Sequence, residues 1–177
     1  MIAMAAYIRA LGKRNDAMGA SLRRVNERPF RTPDRAADPE AGRKVFDQRC
    51  ASCHGADGAG LPAASRRAYA FPPLWGSDSF NDGAGIHRVL TAARFIKARM
   101  PLGKSDLDDD QAFDVAAYIN SKPRPHKSGL ERDYPDRALK PVDSPYGPYA
   151  DPFPVTQHRY GPFAPIEAYY RERKSPR

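Results

Sequence analysis

Cys50-Ala51-Ser52-Cys53-His54-Gly55 is the stretch whose reading decides the fold. C-x-x-C-H is the attachment motif of a covalently bound haem. The two thiols add to the porphyrin vinyl groups, and two intervening residues give a helical turn that matches their spacing. His54 follows at once, which places an imidazole beneath the iron as its proximal ligand. Competing chemistries are weak. A zinc site needs two further Cys or His ligands, yet the chain has no third Cys, and His87, His126 and His158 are dispersed. A thioredoxin-like pair needs a βαβ setting, which the pattern does not offer. A disulfide between two Cys three apart is strained.

Outward from the motif, residues 38–122 read as one helical domain. Asp38-Pro39-Glu40 is a helix start, an N-cap acid followed by Pro at the first helical position. This helix is predicted to run into Cys50, with Gly42 and Phe46 on one face. Gly42 there permits a close helix crossing. Asp108-Asp109-Asp110-Gln111 is a capping box before a last helix, Asp109 to about Ser121, with Phe113, Ala116, Ala117 and Tyr118 inward. The acid run is thus a helix start favoured by the dipole rather than a metal site. Between these, a short helix is expected from Gly83 to Val89, and another from Ala92 to Ala98 capped by Thr91. The two predicted long helices should cross near Gly42.

The pocket is expected from Phe71-Pro72-Pro73-Leu74-Trp75-Gly76, which is apolar, rigid and not helical at its prolines. The Pro72 carbonyl should accept from His54 Nδ1 and fix the tautomer. Leu74 should pack on the porphyrin. Trp75 either offers its indole N–H to a haem propionate or belongs to the core. For the sixth ligand, Met100 is the choice: it alone of Met1, Met4, Met18 and Met100 follows the motif, and Pro101 stops a helix beside it. His87 is the next candidate. Lys97 and Lys104 compete only if burial deprotonates them, and Arg99 cannot, since its guanidinium stays charged.

The flanks differ in composition. Residues 1–37 carry 8 Lys/Arg against 3 Asp/Glu, residues 38–122 carry 11 of each, and residues 123–177 carry 10 against 7. The net +8 therefore lies outside the helical domain. No basic stripe with interleaved aromatics suggests nucleic acid; an acidic protein partner or a neighbouring domain fits better. Residues 1–11 read as a short amphipathic helix, the remnant of a preceding domain, and 12–37 as a basic linker. Residues 123–177 hold 11 Pro and 8 Tyr/Phe and are expected to form an irregular tail packed on the domain, with a brief helix from Ile166 to Arg173. No run approaches the roughly 20 apolar residues of a membrane span. No signal peptide is read at Met1, although haem attachment to this motif normally occurs outside the bacterial cytoplasm, so the expectation is a periplasmic protein of which this chain is a fragment or whose true start lies upstream.

With the motif, the proline wall, the loop methionine and the helix pair together, residues 38–122 resemble a class I c-type cytochrome. That resemblance implies an all-α fold, a small helical bundle around one covalently bound haem c. A narrower likeness lies in Phe71-Pro-Pro-Leu-Trp-Gly, Asp78-Ser-Phe-Asn-Asp-Gly-Ala-Gly85, Phe95-Ile96, Met100-Pro-Leu-Gly and Asp114-Val115-Ala-Ala-Tyr-Ile-Asn120. These, with Pro123-Arg-Pro125, are similar to the second haem domain of dihaem thiosulfate dehydrogenases. That likeness implies electron relay beside a first haem that oxidises thiosulfate to tetrathionate and carries a Cys ligand. Here there is a single C-x-x-C-H and no spare Cys, and Ile86 and Arg99 depart from the family pattern. Two readings follow. The chain is a monohaem one-electron carrier of a sulfur-compound-oxidising system, serving a redox partner protein or an upstream haem domain. Alternatively it is part of a thiosulfate dehydrogenase whose catalytic haem domain lies upstream or on another chain. Electron transfer alone is the preferred reading over catalysis.

Overall fold

Three helices enclose one face of an apolar cavity, and a long C-terminal segment braces the face behind them. The computed structural model describes residues 29–65 and 68–174. The expected helix at residues 1–11 and most of the 12–37 linker lie outside these.

The first helix, α1, spans Pro39–Arg49. Asp38 starts it by accepting from Glu40 N at 2.8 Å and Ala41 N at 3.2 Å, which satisfies two of the amides a helix start leaves unpaired. After Cys50 the chain makes one further turn, α2, Ala51–His54. A two-stranded antiparallel ribbon follows, β1 (Leu61–Pro62) against β2 (Tyr69–Phe71), with Leu61 opposite Phe71. The sequence reading held no strand here, since two or three residues are too few for an alternating pattern. The ribbon carries the chain back to the proline segment.

The helix expected from Gly83 to Val89 is only a 3-10 turn, Gly85–His87. The next helix, α3, spans Val89–Arg99 and begins before Thr91, so Thr91 is not its cap. Its start is satisfied from far away. Asp143 accepts from Leu90 N at 3.1 Å and pairs with Arg88 at 3.2 Å. α4, Asp109–Asn120, starts at Asp108 with the expected capping box to Gln111.

The most extensive helix contact is α1 across α4, and α3 packs on α4 beside it. Gly42 makes the crossing possible: a Cβ there would stand 2.0 Å from the Asp114 carbonyl oxygen. Phe46, Phe113, Val115, Ala116 and Ala117 are wholly buried at this junction.

Residues 123–154 are irregular apart from 3-10 turns at Leu130–Arg132 and Arg137–Leu139. Then come two helices, α5 (Val155–Tyr160) and α6 (Ala164–Lys174). The second was expected, three residues shorter, whereas the six-residue α5 gives no period to read. Phe163 and Ile166 are buried, and Phe163 meets Phe113 edge-on at 6.1 Å. On the N-terminal side Phe30 lies 6.3 Å from the same ring. The two flanks also join each other, Ala37 N donating to the Tyr160 carbonyl at 2.7 Å. Arg35 grips Asp114 with two nitrogens at 2.8 and 2.9 Å and also bonds Asp110. The hydrogen bonds to Asp114 and Asp110 hold its guanidinium above the usual range. The end of the basic segment is therefore docked on α4.

Candidate haem site

The cysteines, His54, Met100 and, from the proline segment, Phe71, Pro72 and Leu74 line one cavity of about 240 Å³. α1 and α2 bring Cys50, Cys53 and His54 to it. The loop after β2 supplies Phe71, Pro72, Leu74 and Phe80. α3 contributes Ala92, Phe95 and Ile96 and ends at Met100, while α4 closes the far end with Ile119 and Asn120. Almost all of this lining is apolar.

His54 Nδ1 lies 2.8 Å from the Pro72 carbonyl oxygen. A carbonyl can only accept, so Nδ1 carries a proton, and in the neutral ring Nε2 is the nitrogen with the lone pair. That is the state in which imidazole ligates a metal through Nε2. Phe71 stands edge-on to the His54 ring at 6.3 Å. Burial pushes the Cys50 thiol up to about 11.

Met100 ends α3 in extended backbone, its N–H donating to the Ile96 carbonyl at 2.8 Å. Its rivals are engaged elsewhere. His87 is not part of the lining, and its Nδ1 bonds the Asp82 carbonyl at 2.8 Å. Burial also lowers the His87 pKa. Lys97 Nζ sits 3.2 Å from Asp109, and Lys104 is exposed beside Asp106.

Trp75 is the expected pocket residue that the structure places outside the lining. Its ring packs on Phe46 at 4.9 Å and Tyr118 at 5.8 Å, behind the wall that Leu74 forms. The glycine-rich loop crosses over it, and a Cβ at Gly58 would fall 2.3 Å from the indole. Leu74 N donates to the Gly58 carbonyl at 2.8 Å, which ties that loop to the proline segment. Of the two roles the sequence left open for Trp75, its position is that of a core residue. Phe80, Phe95, Ile119 and Asn120 line the cavity without having been singled out as pocket residues. Nothing in their local pattern distinguishes a cavity wall from ordinary core.

The site fits a covalent haem by its donor set: two thiols, an imidazole with one tautomer and a thioether, around apolar walls. No group of three or more His, Cys, Asp or Glu able to hold a metal ion occurs among the described residues. No helix among them is long and apolar enough to cross a membrane.

Comparison with known proteins gives a consistent picture. Residues 37–119 match the family model described as cytochrome c oxidase, cbb3-type, subunit III. The cytochrome c6 of Leptolyngbya boryana is 31% identical over 86 residues, 49% of this chain and 94% of that protein. A thiosulfate dehydrogenase of Stutzerimonas stutzeri (strain A1501) is 53% identical over 99 residues, 55% of this chain and 32% of that one. Among solved structures, thiosulfate dehydrogenase (TsdBA) from Marichromatium purpuratum, in its as-isolated form, superposes with a TM-score of 0.53 at 45% identity. It covers 57% of this chain and 21% of its own. The chain thus spans about a third of the length of the thiosulfate dehydrogenase from S. stutzeri.

Proposed function

The chain belongs to the class I c-type cytochromes, and from that premise we propose that it transfers single electrons through one covalently attached haem. The proposal gives Cys50 and Cys53 the two thioether bonds and His54 and Met100 the two axial positions. The observation that carries it is the meeting of these four side chains in one apolar cavity, with His54 held in the ligating tautomer by Pro72. When bound, the haem supplies the Fe(III)/Fe(II) couple. The chain's own residues keep the site dry and hold it still. Leu74, Phe80 and Ile96 exclude water, which limits the reorganisation that accompanies a change of charge. Met100 is a soft ligand that favours the ferrous state and raises the potential.

The partner is a redox protein or an upstream haem domain, in a sulfur-compound-oxidising system outside the bacterial cytoplasm. Likeness to thiosulfate dehydrogenases over about a third of one such chain supports a second reading. In it, this unit is the relay part of such an enzyme, and a catalytic haem domain lies upstream or on another chain.

The test of the site is Met100→Ala in haem-loaded protein. Ferric wild type is expected to show the weak far-red sulfur-to-iron charge-transfer band of His/Met ligation, and the variant to lose it with a lower reduction potential. A wild type without the band, or a variant that keeps it, removes Met100 as the ferric ligand.

A further inference from the structure

Arg49 is the last residue of α1, and Cys50 follows it directly. Like Cys50, Cys53 and His54, it lines the cavity. Its Nη2 donates across to the Asp106 carboxylate, 57 residues onward. The Arg49 guanidinium holds the Asp106 carboxyl below its usual range, so the acid is ionised at neutral pH. A guanidinium stays charged there as well.

Asp106 belongs to the loop that begins where α3 ends at Met100. Met100 N donates to the Ile96 carbonyl at 2.8 Å, which anchors the start of the loop. The chain then turns through Lys104 N on the Pro101 carbonyl and Asp106 N on the Lys104 carbonyl, each at 2.9 Å. It is anchored again at Leu107, which is wholly buried. The tip between the anchors is open to solvent. Leu102 is 76% exposed, and a Cβ on Gly103 would meet nothing within 4 Å. Lys104, within the loop, stands 3.8 Å from the second Asp106 oxygen. Among the described residues, the bond that ties residues 101–106 to another helix is the one from Arg49. The Arg49 end of this tie is fixed, because Cys50 N donates to the Phe46 carbonyl at 2.9 Å and α1 is seated on α4 at Gly42. The pair therefore joins the side of the pocket that carries the cysteines to the loop that carries Met100.

We propose that Arg49 is a positioning residue for the sixth ligand: through Asp106 it clasps the loop after Met100 and keeps the methionine sulfur at the iron. The proposal rests on the haem reading above, in which Met100 is that ligand. A cation in the last turn of a helix is favoured by the dipole whether or not an acid faces it. A role confined to α1 therefore needs Arg49 alone, whereas a clasp needs both members of the pair.

An iron that opens part of the time binds an external ligand in proportion to its open fraction. The experiment titrates haem-loaded ferric wild type, Arg49→Gln, Asp106→Asn, the double variant and Arg49→Lys with imidazole at one pH. Loss of the far-red sulfur-to-iron band reports displacement of Met100. Each of Arg49→Gln and Asp106→Asn is expected to bind imidazole about threefold more tightly than wild type, the effect of a partly exposed ion pair. The double variant should match them, since all three lack the same pair. Arg49→Lys keeps the charge without the planar fork and should fall between. Added salt should bring wild type towards the variants. Arg43→Gln, which removes a pair with Asp47 within α1, should match wild type. Equal imidazole affinity in wild type, Arg49→Gln and Asp106→Asn would overturn the proposal. So would effects that add in the double variant, since the two residues would then act separately. An equal gain in Arg43→Gln would assign the effect to α1 as a whole and overturn it too. If Arg49→Gln loads no haem, Asp106→Asn decides alone, and wild-type affinity there overturns the clasp. A wild type without the far-red band, or without covalent haem in its pyridine haemochrome spectrum, would instead remove the haem reading itself.

Discussion

At the scale of single residues, chemistry and packing separate along the six positions from Phe71 to Gly76. Pro72 offers its carbonyl to His54, Leu74 faces the cavity, and Trp75 turns away to meet Phe46 and Tyr118. Trp75→Phe is therefore expected to leave the haem spectrum unchanged. It should cost about 1–2 kcal/mol of stability through poorer packing. Denaturant unfolding of the haem-loaded proteins measures the cost. A shifted haem spectrum in this variant would return Trp75 to the pocket. What was legible at this scale was local. The C-x-x-C-H spacing and the Met-Pro pair carry their chemistry within a few residues of chain. Phe80 and Asn120 were not legible as pocket residues, because what marks them is their place in three dimensions, which no pattern along the chain encodes.

Among the elements, both long helices of the crossing could be read because their starts are written beside them, Asp38-Pro39 for α1 and Asp108 with Gln111 for α4. α3 was misplaced for the complementary reason. Its first turn is satisfied by Asp143, more than fifty residues onward, whereas Thr91 is the cap that neighbouring residues suggest. The short α5 escaped because six residues hold less than two helical turns. The crossing itself gives a sharp expectation. Even Gly42→Ala places a methyl group 2.0 Å from a backbone oxygen of α4, and a backbone cannot step aside as a side chain can. The variant should lose about 3 kcal/mol. The loss should show as a lower denaturation midpoint with an unchanged slope, because the surface exposed on unfolding is the same. A midpoint within error of wild type would mean that α1 and α4 do not touch at this point.

For the whole molecule, the two flanks act as a brace, and part of that brace depends on pH. Asp151 is buried, accepts from Tyr170 Oη at 2.6 Å and meets His158 Nε2 at 3.0 Å. Burial pushes this carboxyl up, but the hydrogen bonds from Tyr170, His158 and Phe153 N outweigh it and hold it below the ordinary range. A carboxylate depressed in the folded state contributes stability above its unfolded pKa, near 4, and loses it as pH falls through the lower folded value. Limited pepsin digestion should therefore release the segment beyond Pro141 below about pH 4 while the haem unit persists. An Asp151→Asn protein should already release it at higher pH, and equal cleavage of the two would argue against this role for Asp151. The brace packs on α4 at Phe113 and Asp114, neither of which lines the cavity. Thiosulfate must meet a reactive sulfur or a displaceable ligand at an iron if it is to be coupled to tetrathionate. In the proposed function His54 and Met100 would both ligate the iron, and both cysteines of the chain would be committed to thioether bonds. Basic flanks attract the anion, but attraction at a surface without a reactive centre yields no bond. The haem-loaded 177-residue chain is thus expected to exchange electrons with ferricyanide and with small redox proteins, and to show no steady-state thiosulfate oxidation. Mixing it with a haem protein that does oxidise thiosulfate should instead reduce its iron at a rate that falls as salt is added. Sustained tetrathionate formation by this chain alone, in proportion to its haem, would make the single haem catalytic and replace relay with turnover as its function.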